Sequence, residues 1–424
     1  MIRRRITLTL AAAAASALVM APAVAGTAAV PTTVPGTEGA QTITGAVEAP
    51  RPAFYEPPSV ISGAPGTIIR TEPATFLLDP LNLSSSVVSA TRVMYVSRDR
   101  SGEPIAVTGT IFVPKTKWVG TGTRPLITYA AGTQGLADKC APSRQMSEFV
   151  QYEGVGFAGL ITRGYAVAMT DYQGLGTPGS HTYMVRQSQG QTVLDMARAA
   201  QNLSTSGLTS NTPVGIMGYS QGGGAAASAA ELAGTYAPEL QVKGTLAGAV
   251  PADLARTGAN LDGSLYSAFL AYAVVGLAED NDLNLAEYLN PAAMDMMKKV
   301  EGSCVTDLLQ FSFKRSSTFT KDGRSLGDYF GAEPFTSVLA ENRIGRIKPN
   351  APVLLDHSAL DDTIPYAVGK QLAKDWCAKG ANVRLDTNVV PTHIGGMTSH
   401  IALSLPFFEA RFSGKSQPSS CWRL

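Results

Sequence analysis

The chain has 424 residues, of which 45% are hydrophobic and 16% are charged, so it can bury the core of one large domain. Its formal net charge of +1 excludes the strongly basic proteins whose surface charge draws them to nucleic acids or anionic membranes. We therefore expect no nucleic-acid partner.

The N-terminus has the order of a secretory signal peptide. Arginines at positions 3 to 5 precede an apolar run over residues 6–24, and Ala23-Val24-Ala25 supplies a cleavage site of small residues. The run approaches the length of about 20 residues that spans a bilayer, so a membrane anchor is the alternative. We predict a signal peptide over residues 1–25, a secreted, extracellular protein, and a low-complexity linker over residues 26–60.

Residues 61–424 are predicted to form an α/β domain. Residues 90–97 and 107–113, joined by a turn, have the pattern of a β-hairpin. Short apolar runs that look fully buried follow at residues 126–130, 165–170, 214–217, 244–250 and 353–355. Segments of helical composition lie between several of them. Buried strands that alternate with helices predict a mostly parallel central sheet with helices on both faces.

Residues 252–348 break this alternation and are helical in character, which predicts a cap inserted between two strands. Within them, residues 263–278 carry no charge and are rich in Leu, Tyr, Phe and Val. An ordinary buried helix and an acyl-binding wall or lid are both compatible with this composition. Both interpretations can hold for the same helix.

Cysteines stand at positions 140, 304, 377 and 421, with no CxxC spacing among them. In an exported protein, an even number of widely separated cysteines predicts two disulfides rather than a metal site. The spacing alone leaves the pairing open.

A short motif after the third buried run carries the candidate nucleophile. Residues 214–217 are followed by Gly218-Tyr219-Ser220-Gln221-Gly222-Gly223 and then by an Ala-rich segment. This is the order of a nucleophile elbow, in which glycines beside the serine prevent side-chain collisions between strand and helix. Ser325 also lies in a G-x-S-x-G pattern, but a polar stretch precedes it and no good helix follows. We predict Ser220 as the nucleophile.

The base is sought among four histidines, because this fold places its triad in the order Ser, acid, His. His181 precedes the nucleophile, His357 lies in the region expected for the acid, and His400 begins an apolar helical pattern. His393 stands where a loop should leave the last strand-like segment, residues 382–390. We predict His393 as the base and ordinary polar packing for the other three.

The acid is expected just beyond the buried run at residues 353–355. Asp356 is too close to that strand to reach over the edge of the sheet. Of the adjacent pair that follows, Asp361 stands four residues before Pro365 and is preferred to Asp362. The second aspartate is then expected to cap the helix that begins near Pro365.

A tetrahedral oxyanion needs two donors already in place. The backbone N–H of Gln221, directly after the nucleophile, is one. The second is expected from residues 131–135, Ala-Gly-Thr-Gln-Gly, where the glycines let backbone amides approach a substrate. We predict Gln134 for this role, with Thr133 as the alternative.

These motifs resemble those of the secretory lipase family, of which the yeast lipase A group is the best-known type. The resemblance covers most of the chain from about residue 60 onward and is carried by residues 140–143, 218–223, 361–366, 377–382 and Thr392-His393. It implies an α/β-hydrolase core, a helical cap, and hydrolysis of acyl esters without a metal or organic cofactor. It also supports Asp361 over Asp362 as the acid.

The same resemblance implies the disulfides Cys140–Cys304 and Cys377–Cys421, because cysteines recur at similar places in that family. The chain departs from the yeast type at Gln134, where those members carry an aspartate. The backbone donor survives that change, but no role for an acidic side chain is carried over to this position.

Taken together, the sequence predicts a secreted serine hydrolase that cleaves small-molecule or lipid esters through an acyl-enzyme on a Ser-Asp-His triad. Transient contact with lipid interfaces is compatible with this function. A serine peptidase or an acyltransferase on the same fold is the alternative, and a non-catalytic binding protein is a third class. The sequence does not determine the oligomeric state.

Overall fold

The computed structural model of the protein describes residues 51–75, 83–147 and 151–424. The predicted signal peptide and most of the predicted linker lie outside these ranges. Residues 51–60, at the end of that linker, contact the domain instead of running free of it. The Tyr55 side chain is buried and its hydroxyl lies 2.8 Å from Ser143 Oγ, while Arg51 pairs with Asp138 at 2.6 Å. The packed chain therefore begins before residue 61.

A single nine-stranded sheet crosses the described residues. In chain order its strands are β1 (Ile68–Pro73), β2 (Val88–Arg98), β3 (Pro104–Pro114), β4 (Leu126–Ala130), β5 (Ala166–Thr170), β6 (Pro213–Tyr219), β7 (Gln241–Gly248), β8 (Val353–Ser358) and β9 (Val383–Asn388). Their order across the sheet is β1-β2-β3-β5-β4-β6-β7-β8-β9. The pairs β1–β2, β2–β3 and β3–β5 are antiparallel, and the remaining neighbours pair parallel. The predicted hairpin and mostly parallel sheet are confirmed.

The strands at the centre of the sheet are buried along their whole length. Every residue of β4 and β5 is buried, and so is β6 after its first residue. Such strands need apolar side chains on both faces, which explains why they appear in the sequence as short continuous apolar runs and not as alternating patterns.

The α-helices of the described residues are α1 (Pro142–Ser147), α2 (Gly154–Arg163), α3 (Arg186–Asn202), α4 (Gln221–Tyr236), α5 (Leu254–Leu261), α6 (Ser267–Asp280), α7 (Pro291–Glu301), α8 (Phe335–Glu341), α9 (Tyr366–Ala378) and α10 (His393–Phe412). Helices α1 to α4, α9 and α10 pack against the sheet. Helix α3 packs against α4, and α2 packs against α10. This layered arrangement is the predicted α/β-hydrolase fold. In the described ranges, no helix combines the length and the apolar character that crossing a bilayer demands.

The segment between β7 and β8 contains α5 to α8. Buried side chains of α6 and α7, among them Tyr272, Val275 and Val300, form an apolar cluster of their own, separate from the core of the sheet. Leu136 and Tyr183, from outside this segment, also belong to that cluster, and an inserted cap over residues 252–348 stays a prediction. We keep the name cap for it.

Two disulfides join distant parts of the chain. Cys140 pairs with Cys304, across 164 residues of sequence, and Cys377 pairs with Cys421, across 44. These are the pairings that the family resemblance implies. The first joins the segment after β4 to the cap, and the second joins α9 to the C-terminal segment.

Candidate active site

Ser220 lies at the sharp turn between β6 and α4. Its backbone adopts φ 61° and ψ −122°, a strained conformation for a residue with a side chain and the one expected at a nucleophile elbow. A Cβ at Gly218 would lie 2.1 Å from the carbonyl oxygen of Gly222, and one at Gly222 would lie 2.0 Å from that of Ala130. Both positions therefore need glycine, as the elbow motif predicts.

The three residues predicted for the triad form one hydrogen-bonded chain. His393 is the first residue of α10. Its Nε2 lies 2.8 Å from Ser220 Oγ, and its Nδ1 lies 2.8 Å from Asp361 Oδ2. Because a carboxylate at Nδ1 holds that nitrogen as the N–H donor, Nε2 is left as the acceptor for the serine proton.

Asp361 is held as an anion by several donors. Its Oδ1 accepts the backbone N–H groups of Thr363 and Ile364 at 2.9 and 2.8 Å, and its Oδ2 also lies 3.5 Å from His357 Nε2. Burial acts to raise the pKa of this carboxyl. The neighbouring imidazoles of His357 and His393 and the backbone bonds outweigh burial, and the pKa of Asp361 falls below its ordinary value.

Asp362 has a different role from the one expected. It does not cap the helix that begins near Pro365. Its Oδ1 accepts the backbone N–H of His393, the first residue of α10, at 2.8 Å, while Thr392 is the N-cap of that helix. The loop between β8 and α9 curls toward α10, which brings this carboxylate to a helix distant in sequence. One aspartate thus orients the imidazole ring and its neighbour holds the backbone of the same residue.

Ser325, His400 and His357, the other candidates from the sequence, pack or hydrogen-bond elsewhere in the fold. Ser325 lies in the cap, where its hydroxyl donates to Asp328 Oδ2 at 2.8 Å in a short 3-10 turn. His400 is completely buried in α10, and burial lowers its pKa to about 3. His357 packs beside Asp361 and its Nε2 lies 3.0 Å from the carbonyl oxygen of Ile364.

His181 touches the first of the predicted oxyanion donors. Gln221 is the first residue of α4, and its Nε2 lies 2.9 Å from His181 Nε2. His181 Nδ1 lies 2.9 Å from the carbonyl oxygen of Gln173. Burial lowers the pKa of His181 to about 4, so the ring is neutral, donates from Nδ1 and accepts from the Gln221 amide. The residue after the nucleophile is thereby fixed.

Gln134, the second predicted donor, is buried in the loop after β4. Its side chain donates to the carbonyl oxygen of Gly132 at 3.1 Å and accepts from Gln151 Nε2 at 3.1 Å. The backbone carbonyl oxygen of Gln134 accepts the backbone N–H of Val305, in the cap, at 2.7 Å. The alternative donor, Thr133, bonds through its hydroxyl to the Tyr183 hydroxyl at 2.6 Å. The loop that holds both residues is anchored to its surroundings on several sides.

Glu153 is a buried residue at this site that the sequence analysis missed. Its Oε1 accepts the backbone N–H of Gly132 at 2.6 Å, and the Tyr129 hydroxyl donates to its other oxygen. Burial raises its pKa to about 7. An acidic residue before an apolar helix is common on protein surfaces, so nothing in the sequence marks this one as buried.

An apolar cavity, partly open to solvent, adjoins Ser220. Its walls come mainly from the cap, and they include Leu261, Phe269, Leu270, Val274, Leu289 and Phe330. Three of these belong to α6, within the uncharged segment 263–278. That helix is both a buried element of the cap and a wall of the cavity. Among the described residues, no cluster of three or more His, Cys, Asp or Glu side chains has the arrangement of a metal site.

The chain is similar in sequence to known lipases. The secretory lipase family model matches residues 141–420. A Mycobacterium tuberculosis protein named a probable inactive lipase is 29% identical over 85% of this chain and 82% of its own length. A secreted triacylglycerol lipase of Malassezia globosa is 31% identical over 87% of this chain and 82% of its own length.

A likeness in structure accompanies these matches in sequence. The X-ray structure of Candida antarctica lipase A superimposes with a TM-score of 0.78 at 22% identity, over 88% of this chain and 89% of that one. At that identity the likeness shows the fold alone. The match to the family model carries the assignment: the chain belongs to the secretory lipase family and is a secreted carboxylic ester hydrolase with an α/β-hydrolase fold.

Proposed function

We propose that the protein hydrolyses lipid-type carboxylic esters through an acyl-enzyme on Ser220, with His393 as the base and Asp361 as its orienting carboxylate. The observation that carries this proposal is the unbroken hydrogen-bonded chain from Ser220 Oγ through the His393 ring to Asp361 Oδ2, with 2.8 Å at each step. A serine hydroxyl is a weak nucleophile unless a positioned base takes its proton.

In the first half of the reaction, Ser220 Oγ attacks the ester carbonyl carbon and its proton passes to His393 Nε2. The backbone N–H groups of Gln221 and Gln134 receive the charge that develops on the carbonyl oxygen. His393 then gives the proton to the departing alcohol. In the second half, water repeats the attack on the acyl-serine and releases the carboxylic acid. Side chains and backbone supply every group, so the proposed reaction uses no metal or organic cofactor.

The apolar cavity beside Ser220 supports an acyl chain as the part of the substrate bound most extensively. Burying an alkyl chain against side chains such as Leu270 and Val274 is favourable by about 0.8 kcal/mol per methylene. The Malassezia globosa relative is named a triacylglycerol lipase, which supports triacylglycerols as substrates. Transient contact with a lipid interface is part of this proposal.

One relative is named a probable inactive lipase, so sequence similarity alone does not carry activity to this chain. The described geometry supplies the argument that similarity lacks. Nucleophile, base and acid lie at hydrogen-bonding distance in the required order. We therefore propose an active enzyme.

The decisive experiment is a panel of p-nitrophenyl esters of increasing acyl length, run beside aminoacyl anilides. Ester hydrolysis by the wild type and its loss in Ser220→Ala are expected. A fluorophosphonate should label Ser220 and leave Ser325 unlabelled. Cleavage of the anilides in preference to the esters would establish a peptidase instead. Acyl transfer to an added alcohol that outpaces hydrolysis would establish an acyltransferase.

The acyl site has its own test in α6. Val274→Trp fills part of the cavity, and we expect it to slow hydrolysis of long-chain esters by at least about tenfold more than hydrolysis of acetate. Glu279→Trp, on the exposed side of the same helix, is the matched control and should alter neither. An equal effect of Val274→Trp on all chain lengths would contradict binding of the acyl chain in this cavity.

A further inference from the structure

The carboxyl group of Glu153 lies against residues 131–135, the segment here named the oxyanion loop. Glu153 is 1% exposed. Its Oε1 accepts the backbone N–H of Gly132 at 2.6 Å, and Tyr129, at the end of β4, donates its hydroxyl to Oε2. A buried carboxyl group is costly unless hydrogen bonds compensate it, and here one of the compensating donors is the backbone of the loop itself.

Each of the residues 151–153 contacts one residue of the segment 132–134, and the two segments run in opposite directions. Glu153 Oε1 accepts the backbone N–H of Gly132. The Tyr152 hydroxyl donates to the carbonyl oxygen of Thr133 at 3.0 Å, and Gln151 Nε2 donates to the side-chain oxygen of Gln134 at 3.1 Å. The backbone N–H of Glu153 also donates to Gln151 Oε1 at 2.8 Å, which joins the Gln151 side chain to the backbone of the same segment. The conformation of the oxyanion loop thus depends on this short segment before α2.

Gly132 is placed between Glu153 and the nucleophile strand. A Cβ at Gly132 would lie 2.7 Å from Glu153 Oε1 and 3.3 Å from the carbonyl oxygen of Tyr219, the residue before Ser220. Position 132 therefore has no room for a side chain, and glycine there lets the loop backbone donate its N–H to Glu153 at 2.6 Å.

We propose that Glu153 is a positioning residue for ester hydrolysis: its carboxyl group fixes the Gly132 peptide and thereby holds the Gln134 N–H in place to receive the oxyanion. This rests on the function proposed above, which assigns the second oxyanion donor to the loop. Glu153 does not touch substrate in this proposal. It acts through Gly132, and preorganisation of the donors is what it contributes to the rate.

The groups that face Glu153 favour this role. Within the described ranges they are the hydroxyls of Tyr129 and Tyr152, with Tyr172 behind them. Burial raises the pKa of Tyr129 and of Tyr172 well above the ordinary value, so these hydroxyls keep their protons. The carboxyl is therefore bound by neutral donors, and burial raises its pKa to about 7.

The kinetic test compares Glu153→Leu, which removes both acceptor oxygens, with Glu153→Gln, which keeps one for Gly132. We expect kcat for p-nitrophenyl acetate to fall about 100-fold in the leucine variant and less than about tenfold in the glutamine variant, with KM within about threefold in both. The control is Glu231→Gln, at a buried glutamate that likewise accepts backbone N–H groups, from Gly345 and Ile347, and that also pairs with Arg186, away from Ser220. Its kcat should stay within about threefold of wild type.

A second readout is independent of turnover and covers the case in which Glu153→Leu does not fold. The Gly132 amide proton, observed by NMR with ¹⁵N-labelled glycine, should resonate far downfield and titrate with an apparent pKa of about 7 in the wild type. It should lose that titration in Glu153→Gln. A resonance that Glu153→Gln leaves unchanged would overturn the proposal, and so would wild-type kcat in Glu153→Leu.

Failure of the proposed function gives a different result. A wild-type protein that hydrolyses none of the esters would overturn the proposed function together with the catalytic part of this proposal. Failure of the present proposal alone would be an active wild type in which Glu153→Leu leaves kcat unchanged or Glu153→Gln leaves the Gly132 resonance unchanged.

Discussion

Asp362 Oδ1 accepts the backbone N–H of His393 at 2.8 Å, although Asp361 and not Asp362 binds the ring of that histidine. Two adjacent carboxylates therefore hold one residue at two different points. The ring contact decides the tautomer of the imidazole, whereas the backbone contact fixes only the start of α10. The two aspartates should consequently contribute very differently to the rate.

We expect Asp361→Asn to lower kcat by about 10⁴-fold, because an amide at this place can stabilise the wrong tautomer and cannot stabilise the imidazolium. Asp362→Asn keeps an oxygen acceptor for the His393 N–H and should cost less than about tenfold. Steady-state kinetics with a short p-nitrophenyl ester measures both. The opposite ranking would move the catalytic acid one residue along the chain.

Ser220 and His393 should behave as a unit. We expect His393→Ala to lower kcat by about 10⁴-fold or more, and the double variant with Ser220→Ala to be no slower than the slower single variant. A fluorophosphonate should also label Ser220 much more slowly once His393 is absent. Losses that add in the double variant would show that the two side chains act independently.

The disulfide Cys140–Cys304 joins the segment after the oxyanion loop to the cap, where Val305 N also binds Gln134 O at 2.7 Å. We expect Cys140→Ser with Cys304→Ser to slow long-chain esters more than acetate, because only long chains need the cap in register with Ser220. In the chain-entropy model, cross-linking so long a loop stabilises the fold by a few kcal/mol, so the melting temperature of the double variant should fall.

The matched control for that pair is Cys377→Ser with Cys421→Ser, which opens a disulfide outside the cap. It should affect stability without changing the preference for chain length. Peptide mapping under non-reducing conditions checks the pairing itself. Equal losses for acetate and long-chain esters in the first double variant would contradict a role of the bond in holding the cap.

His400 should make the protein sensitive to acid. Burial lowers its pKa to about 3, and in the described surroundings its ring nitrogens have no hydrogen-bond partner. The unfolded chain binds a proton there below about pH 6.5, while the folded chain does not until about pH 3, so the free energy of unfolding falls as the pH falls between these values.

His400→Leu removes that proton and should reduce the loss of stability between about pH 7 and pH 4.5 by roughly 2–3 kcal/mol. Urea unfolding at the two pH values measures it. Other buried groups that titrate in this range, such as His181, are present in both proteins and cancel in the comparison. An unchanged loss in the variant would show that His400 is protonated in the folded state.

Much of the fold and the chain from Ser220 to Asp361 could be predicted because each signal is local. Buried central strands must be continuous apolar runs, and the elbow needs glycines on both sides of Ser220. With only four histidines, the order of the triad leaves few alternatives to His393. In each case a few consecutive residues carry the whole requirement.

The contacts that orient the site could not be predicted in this way. Glu153 meets Gly132, and His181 meets the Gln221 side chain, only because separate loops converge at the carboxyl ends of the strands. The role of Asp362 was misassigned for the same reason, since its partner lies 31 residues farther along the chain. Residue type alone does not indicate which distant backbone N–H a carboxylate will reach.

The backbone of Ser220 adopts φ 61° and ψ −122°, where any residue with a Cβ is strained. Glycine adopts this backbone conformation with the least strain, but it has no side chain that could act as the nucleophile. The molecule therefore gives up folding free energy, about 1 kcal/mol or more, at the one position whose side chain has no substitute. Ser220→Gly should then melt at a higher temperature than Ser220→Ala, although both are equally inactive. Thermal stability and catalysis therefore favour different residues at position 220.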